Sequence, residues 1–487
     1  MLRKIRICLQ VVMITLVTLL LLGIGFRVHL WAGWVAKIQL VPAILAMSIA
    51  WIPIFIAITL FGRIYCSVVC PLGIMQDIFS WIGGKFKKNR FSYAKNKIWL
   101  RLVVLVGFII AIIVGFAPVT TLIEPYSAYS RIVNSLFKPL YDLLNNWLAS
   151  IDAANDRYNF TEVQIWMRSV TTFVVAIVTL VILGALAIWK GRLYCNTICP
   201  VGTALGHFSR HSIFRIQFDK DKCQSCGLCE KNCKSQAIDF KNGKVDYSRC
   251  VVCGDCLDKC KFDALHYTAK RAKAEPKPVD TERRAFLVGA AVAGTTAALA
   301  QAEMKVDGGL AVIEDKKAPK RQTSITPPGS VSAHHMQKHC TACQLCVSSC
   351  PNNVLRPSND FQHFMQPVMS FERGYCRPEC TRCSEVCPTG AIKPISREAK
   401  TNIHVGHAVW IKENCVVLTD GVSCGNCARH CPTGAIQMID YEGSNGKVQV
   451  PAVDENKCIG CGACENLCPA RPFSAIYVEG NEMHHID

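Results

Sequence analysis

The spacing of its cysteines constrains this chain more than any other feature. The 487 residues include 29 cysteines, too many to be incidental in a chain too long for a small disulfide scaffold. Cys8 stands alone inside an apolar run and reads as a small packing residue. Four more lie in a repeat, GRIYCSVVCPLG at 62–73 and GRLYCNTICPVG at 191–202, which supplies Cys66, Cys70, Cys195 and Cys199. The other 24 fall into six quartets with none left over. These are Cys223, Cys226, Cys229 and Cys233; Cys250, Cys253, Cys256 and Cys260; Cys340, Cys343, Cys346 and Cys350; Cys376, Cys380, Cys383 and Cys387; Cys415, Cys424, Cys427 and Cys431; and Cys458, Cys461, Cys464 and Cys468.

Most quartets read C-x2-C-x2-C-x3-C, and that spacing has a physical cause. Three cysteines on one tight loop cap three irons of a cubane, and the distant fourth reaches across to the neighbouring cluster. The quartets therefore pair as three two-cluster modules. Cys223, Cys226 and Cys229 are expected with Cys260, and Cys250, Cys253 and Cys256 with Cys233. The same crossing joins 340/343/346 to Cys387, 376/380/383 to Cys350, 415/424/427 to Cys468, and 458/461/464 to Cys431. C-x2-C pairs also build zinc knuckles. Zinc sites rarely continue into a third and fourth cysteine followed by proline, as at Pro351, Pro388, Pro432 and Pro469, or by the CPTGAI found at 387–392 and 431–436. Lys234 and Lys261 replace that proline in the first module, and two gaps are longer, Cys376 to Cys380 and Cys415 to Cys424. Six 4Fe–4S clusters form a series of stepping stones for single electrons.

Apolar residues make up 51% of the chain and mean hydropathy is +0.23, high for a soluble protein. Four stretches, about 7–26, 39–61, 98–118 and 169–189, approach the roughly 20 apolar residues that cross a bilayer. The net charge of +18 lies largely at the ends of these runs, which fits membrane topology and a solvated basic surface rather than nucleic-acid binding. Arg3, Lys4 and Arg6 precede the first run, and seven Lys and Arg between Arg63 and Lys97 fill the connection after the second. The 119–168 connection carries mixed charges. The positive-inside rule then puts the N-terminus and both repeats on the cytoplasmic face. A signal peptide is the alternative for the first run, but no small-residue cleavage site follows it. The duplication lets Cys66, Cys70, Cys195 and Cys199 converge on one pseudo-twofold axis. They would hold a soft metal or an iron–sulfur centre, form redox-active dithiols, or simply pack at a turn. Spacing leaves these open.

Residues 271–284 are a charged, proline-bearing linker, followed by an apolar, Ala- and Gly-rich stretch. TERRAFL is similar to a twin-arginine export motif at Arg283, Arg284, Phe286 and Leu287, and ALA at 298–300 offers a cleavage site. The expected organisation is a membrane domain at 1–215, a two-cluster ferredoxin domain at 216–270, a linker with a fifth span or scission point at 271–301, and a four-cluster domain at 302–487 with modules near 335–395 and 410–480. The fold class is a multi-domain one, a four-span α-helical bundle, or five-span if the linker segment crosses, plus α+β two-cluster ferredoxin-like modules.

With these motifs, residues 1–270 resemble the membrane polyferredoxins of periplasmic nitrate reduction and methylamine utilisation (NapH, MauN). Residues 281–487 resemble their exported partners (NapG, MauM), so the chain reads as the two fused. The resemblance implies a bacterial inner-membrane quinol dehydrogenase, with 302–487 on the periplasmic side and electrons passing from the quinone pool to a c-type cytochrome or reductase subunits. A redox maturation factor for a metalloenzyme is the competing reading. His29, Arg101 and Glu124 are the polar groups to consider at a quinol site. The chain has no C-x-x-C-H haem motif and no dinucleotide-binding loop, so a substrate-reducing centre belongs to another subunit.

Overall fold

The computed structural model describes residues 2–269 apart from 25, 88–90, 157, 158 and 220, and residues 314–486 apart from 444 and 445. The twin-arginine-like segment and its linker lie outside the described residues.

The N-terminal portion is helical. Its principal helices are α1 (Leu2–Leu22), α2 (Trp51–Phe61), α3 (Pro71–Phe86), α4 (Ile98–Val114), α5 (Pro125–Ile132), α6 (Lys138–Ala154), α7 (Val170–Lys190) and α8 (Pro200–Ser209). Of these, α1 and α7 are long and apolar enough to cross a membrane, while α2 and α4 are apolar but shorter. The expected span at 39–61 is broken. Helix Leu40–Leu45 ends before Met47, whose φ is 51°, and α2 starts at Trp51. Pro42 and Pro53 each fall in the first turn of their helix, where a missing N–H has no intrahelical partner to lose. They are helix starts, not kinks within one helix. Gly115, in the left-handed region at φ 81°, stops α4 short of the expected 118.

The connection is helical through much of 119–154. Glu124 caps α5, accepting from the Ser127 N–H. A π-helical turn (Val133–Phe137) then carries the chain into α6. Helix α5 lies wholly buried, packed on α3 and α7.

The cysteine-rich portions are small α+β lobes. The first pairs β1 (Phe214–Phe218) with β4 (Leu265–Ala269) and β2 (Ile238–Asp239) with β3 (Lys244–Val245), all antiparallel. In the C-terminal portion β5 (Leu355–Pro357) pairs with β6 (Pro367–Met369), β8 (Ile436–Gly443) with β9 (Gly446–Val453), and β7 (Ile403–Trp410) with β10 (Ile476–Ile486). Ile403 faces Ile486 and Trp410 faces Ile476, so the last strand closes back on the middle of this portion.

The two cysteine-rich portions dock at opposite ends of the helical portion, and α1 serves as a ruler. Arg3 reaches Asp255 at 3.2 Å and Asp258 at 3.1 Å in the first lobe. At the far end Gly23 abuts the Ser348 carbonyl, and the imidazole of His29 meets Ser349 Oγ at 3.0 Å. Tyr267 donates to the Phe61 carbonyl at the first end, whereas Ser169 bonds Asn359 at the second. At 1.5 Å per residue the two docking surfaces are about 30 Å apart.

Candidate functional site: cysteine-lined centres in sequence

In the described residues three small voids are each lined by four cysteines. One is lined by Cys223, Cys226, Cys229 and Cys260, another by Cys376, Cys380, Cys383 and Cys350, and a third by Cys415, Cys424, Cys427 and Cys468. These are the crossed groupings expected from spacing. The remaining three gather in the same crossed way. Cys256 lies within electrostatic reach of Cys253, Cys250 and Cys233. Cys346 does so with Cys343, Cys340 and Cys387, and Cys461 with Cys458 and Cys431, with Cys464 beside Cys458 and Cys461.

The donor set fits an iron–sulfur cluster. Backbone N–H groups donate to sulfur at Cys223, Cys233, Cys260, Cys340, Cys387 and Cys468, at 3.3–3.4 Å. Such bonds favour thiolate and tune a cluster's potential. No group of three or more His, Cys, Asp or Glu among the described residues is arranged to hold a single metal ion. Burial is the largest influence on these thiols and pushes them up to about 12 at Cys250, Cys343 and Cys461. Iron ligation removes those protons outright.

The groups also line up. Cys464 lies near Cys427, Cys461 near Cys376 and Cys346 near Cys383. The Cys376 N–H donates to the Cys461 carbonyl at 2.9 Å, which locks the two C-terminal modules together. Four centres thus run in series through 320–486. The departures from spacing have local causes. Val416–Thr419 forms a turn of helix inside the long Cys415 to Cys424 gap. Lys400 ties the Cys376 to Cys380 loop, donating to the carbonyls of Arg377 and Cys380. Lys234, standing where proline is usual, reaches Asp77 at 3.0 Å and Asp255 at 3.1 Å, so it fastens the lobe to α3. Nothing in the structure explains Lys261.

The repeat cysteines Cys66, Cys70, Cys195 and Cys199 are all buried between the two docking ends. Each copy runs from a glycine in the left-handed region (Gly62, φ 80°; Gly191, φ 66°) through arginine to a one-turn helix, then to a cysteine that precedes a proline-started helix. The arginines are exchanged between copies. Arg192 donates to the Cys66 carbonyl at 2.5 Å, and Arg63 to the Cys195 carbonyl at 3.3 Å. Each also lies against the glycine of the other copy, Gly73 or Gly202, where a Cβ would collide with the same carbonyl. Burial pushes the Cys195 thiol up to about 11, and those of Cys70 and Cys199 higher, the opposite of what a thiolate nucleophile needs.

Of the polar candidates, His29 is bonded to Ser349. Arg101 is buried against the first lobe, 3.2 Å from Ser248 Oγ and 3.3 Å from its carbonyl. Glu124 is the buried cap of α5, flanked by Arg131. These three are docking and packing groups, and the structure does not gather them. Sequence reasoning missed a cavity of about 720 Å³ between α6, the segment before α7 and the Cys350 loop. Trp166, Phe173 and Leu140 form apolar walls, with Asn134, Asp142 and Gln344 among the polar lining. The Asn134 oxygen and Gln344 nitrogen are buried without partners, and Asp142 is 3.3 Å from Lys138. No motif announced it, because its walls come from three separate segments.

A family model described as a 4Fe-4S dicluster domain matches 339–391 and 422–471, and models described as 4Fe-4S binding domains match 43–89, 171–218 and 215–238. The chain is 32% identical over 165 residues to the methylamine utilization ferredoxin-type protein MauM of Methylobacillus flagellatus, covering 33% of this chain and 70% of that one. It is 27% identical over 180 residues to the ferredoxin-type protein NapF of Escherichia coli, 37% of this chain and all of that one. It is 26% identical over 175 residues to MauN of Paracoccus denitrificans, 35% of this chain and 48% of that one. No solved structure matches the chain.

Proposed function

Since the chain belongs to the family of ferredoxin-type iron–sulfur electron-transfer proteins that includes MauM, MauN and NapF, we propose that it is a multi-pass inner-membrane protein that oxidises quinol and passes the electrons through six 4Fe–4S clusters to a redox partner. In this reading the N-terminus and first lobe are cytoplasmic and the C-terminal lobes periplasmic. A c-type cytochrome or reductase subunit takes the electrons there. The observation that carries it is the cavity beside Cys350, which joins an apolar, headgroup-sized space to a row of cysteine-lined centres.

Lipid exposure is supported by the outward faces of the helices. Val103, Ile110 and Ile113 of α4 and Val174, Val181 and Ile182 of α7 are all more than half or about half exposed, more apolar surface than a soluble chain normally shows. Helix α6 turns Leu140, Leu143, Leu144 and Trp147 outward from a partly polar body, as a helix lying at a membrane surface does. The positive-inside reading and the opposed docking ends together support placing the two cysteine-rich portions on different faces.

In the cavity, the unpartnered Asn134 oxygen would accept from one quinol hydroxyl, and Gln344 would donate to the oxygen at the other end. Trp166 and Phe173 would hold the ring. Oxidation of one quinol to quinone releases two electrons and two protons. Clusters held at the cysteines would accept the electrons singly. Asp142, paired with Lys138 at 3.3 Å, is the first proton acceptor.

Asp142→Asn is expected to slow cluster reduction by quinol about 10²–10⁴-fold while reduction by dithionite proceeds at the wild-type rate. Stopped-flow absorbance of the clusters measures both, and an unchanged quinol rate would remove this site. For topology, protease added to intact spheroplasts should cut within 314–486 and spare 214–269. Protection of both portions would place them together in the cytoplasm.

A further inference from the structure

We infer that Cys66, Cys70, Cys195 and Cys199 together hold one iron–sulfur centre, shared between the two copies of the repeat, with Arg63 and Arg192 as its counter-cations, and that this centre joins the clusters at the two ends of the molecule into one circuit. The inference rests on the electron-transfer reading above and names the element that reading leaves out.

Charge is the first argument. Arg63 and Arg192 are both fully buried. Arg192 has a carboxylate, Asp77, at 2.8 Å. The position related to Asp77 by the repeat is Gly206, and Arg63 has no carboxylate partner among the described residues. Its guanidinium instead touches Cys66 Sγ at 3.6 Å and otherwise only neutral groups, the Asn196 amide and the carbonyls of Cys195 and Ser248. A buried cation needs an anion. Four thiolates binding iron and inorganic sulfide carry net negative charge and bring it to Arg63 at Cys66, while Cys250 of the first lobe lies within electrostatic reach on its other side.

The donors around the sulfurs agree. Arg63 Nε, Arg192 Nη2 and both polar atoms of Gln76 are buried without partners, and Gln76 lies beside the Cys195 thiol. Cys70 and Cys199 are the residues that cap α3 and α8, helices of 16 and 10 residues, and Gly202 N–H donates to Cys199 Sγ at 3.3 Å. Both helix N-termini thus favour thiolate.

Position is the independent argument. Along α1, Arg3 marks the first lobe, Gln10 bonds the Ser67 carbonyl at 2.6 Å, Thr18 bonds Tyr129 of α5 at 2.7 Å, and Gly23 marks the C-terminal portion. The repeat cysteines therefore sit about 10 Å along a gap of about 30 Å. On one side Arg63 spans from Cys66 to the Ser248 carbonyl, two residues before Cys250. On the other, Tyr194 donates to the Ile123 carbonyl and Ser130 to the Cys343 carbonyl, so α5 links the repeat to the nearest C-terminal centre. Each transfer along this route oxidises the donor centre by one electron and reduces the acceptor by one, with no proton moved and no bond broken.

The test uses the full chain purified anaerobically in detergent. Replacing all four cysteines, C66S, C70S, C195S and C199S, should remove one centre's iron and acid-labile sulfide while the signals of the six other clusters stay. Mössbauer spectra of the lost component tell a two-iron from a four-iron centre. Iron content equal to wild type, or disulfides at these positions in the wild type, would overturn the inference and leave the six-cluster reading standing. An iron-free wild type would overturn both. Arg63→Gln keeps every ligand, so it guards against misfolding: iron content should hold and this centre's midpoint potential should shift negative. An unmoved potential removes Arg63 as counter-cation. In sealed vesicles that present 314–486 outward, dithionite added outside should reduce the clusters of 214–269 in wild type and leave them oxidised in the quadruple variant. Equal reduction in both would overturn the circuit.

Discussion

Stripping the iron is expected to unfold both cysteine-rich portions while the helical portion stays folded. The reason lies in how little else holds these lobes. The first has two two-stranded sheets and helices of four and five residues, and an isolated two-stranded sheet is marginal in water. Its core is Ile216, Ala237, Ile238, Val245 and Leu265 packed with Cys229, Cys233 and Cys256. With so few apolar side chains, binding energy at the sulfurs becomes folding energy, as in other small metal-dependent domains. The C-terminal portion has more apolar side chains, Phe371, Ile403 and Val478 among them, but it too places Cys343, Cys346, Cys415, Cys458, Cys464 and Cys468 in its core. By contrast α1 and α7 are 21-residue apolar helices that pack without any cluster. Anaerobic chelation followed by limited proteolysis and circular dichroism should show rapid cutting within 214–269 and 314–486, with most helical signal kept. Iron-free protein that resists protease in these segments would show that the polypeptide alone specifies the lobes.

That dependence explains which parts of the molecule are legible in its sequence. Cluster chemistry demands a short-range spacing, so the crossed grouping of 223/226/229 with Cys260 can be read directly and reappears as a lined void. Helix starts are legible only with context. Pro42 and Pro53 both fall inside the single apolar run at 39–61, yet each stands in the first turn of its own helix. The 119–168 stretch reads only as a connection with mixed charges. Glu124 and Arg131 are in fact buried together on α5, where each offsets the other's burial, so charge there marks packing rather than solvent. Long-range partners leave no local trace. Nothing near Asp77 announces that it will meet residues 71 positions before it and 115 and 157 positions after it. The repeat itself could have given one clue, since an Asp in one copy faces a Gly in the other.

Asp77 is where the second large effect is expected. Its Oδ1 accepts from Arg192 Nε at 2.8 Å, and its Oδ2 from Arg6 at 3.0 Å, Lys234 at 3.0 Å and Gln10 at 2.9 Å. One carboxylate thus fastens α1, α3, the second copy of the repeat and the first lobe. Asp77→Asn keeps the volume but leaves three cations at a site where only Asp255 remains to offset them. Removing one partner from a buried ionic group costs about 3–5 kcal/mol. The first lobe is expected to melt away from the helices at lower temperature, seen as earlier proteolysis of 214–269 on heating. Acid supplies the control. Burial alone would raise the Asp77 carboxyl, but Arg192, Lys234 and Arg6 hold it well below the usual carboxylate range. A carboxyl depressed in the folded state adds stability that is complete above its unfolded value of about 4 and declines only as pH falls further. The wild type should therefore keep its advantage from pH 7 down to about 4 and lose it progressively below. The Asn variant has no such acid slope at this position, so the two melting curves should converge in strong acid. A constant gap down to the lowest pH tested would mean that shape, and not charge, makes position 77 important.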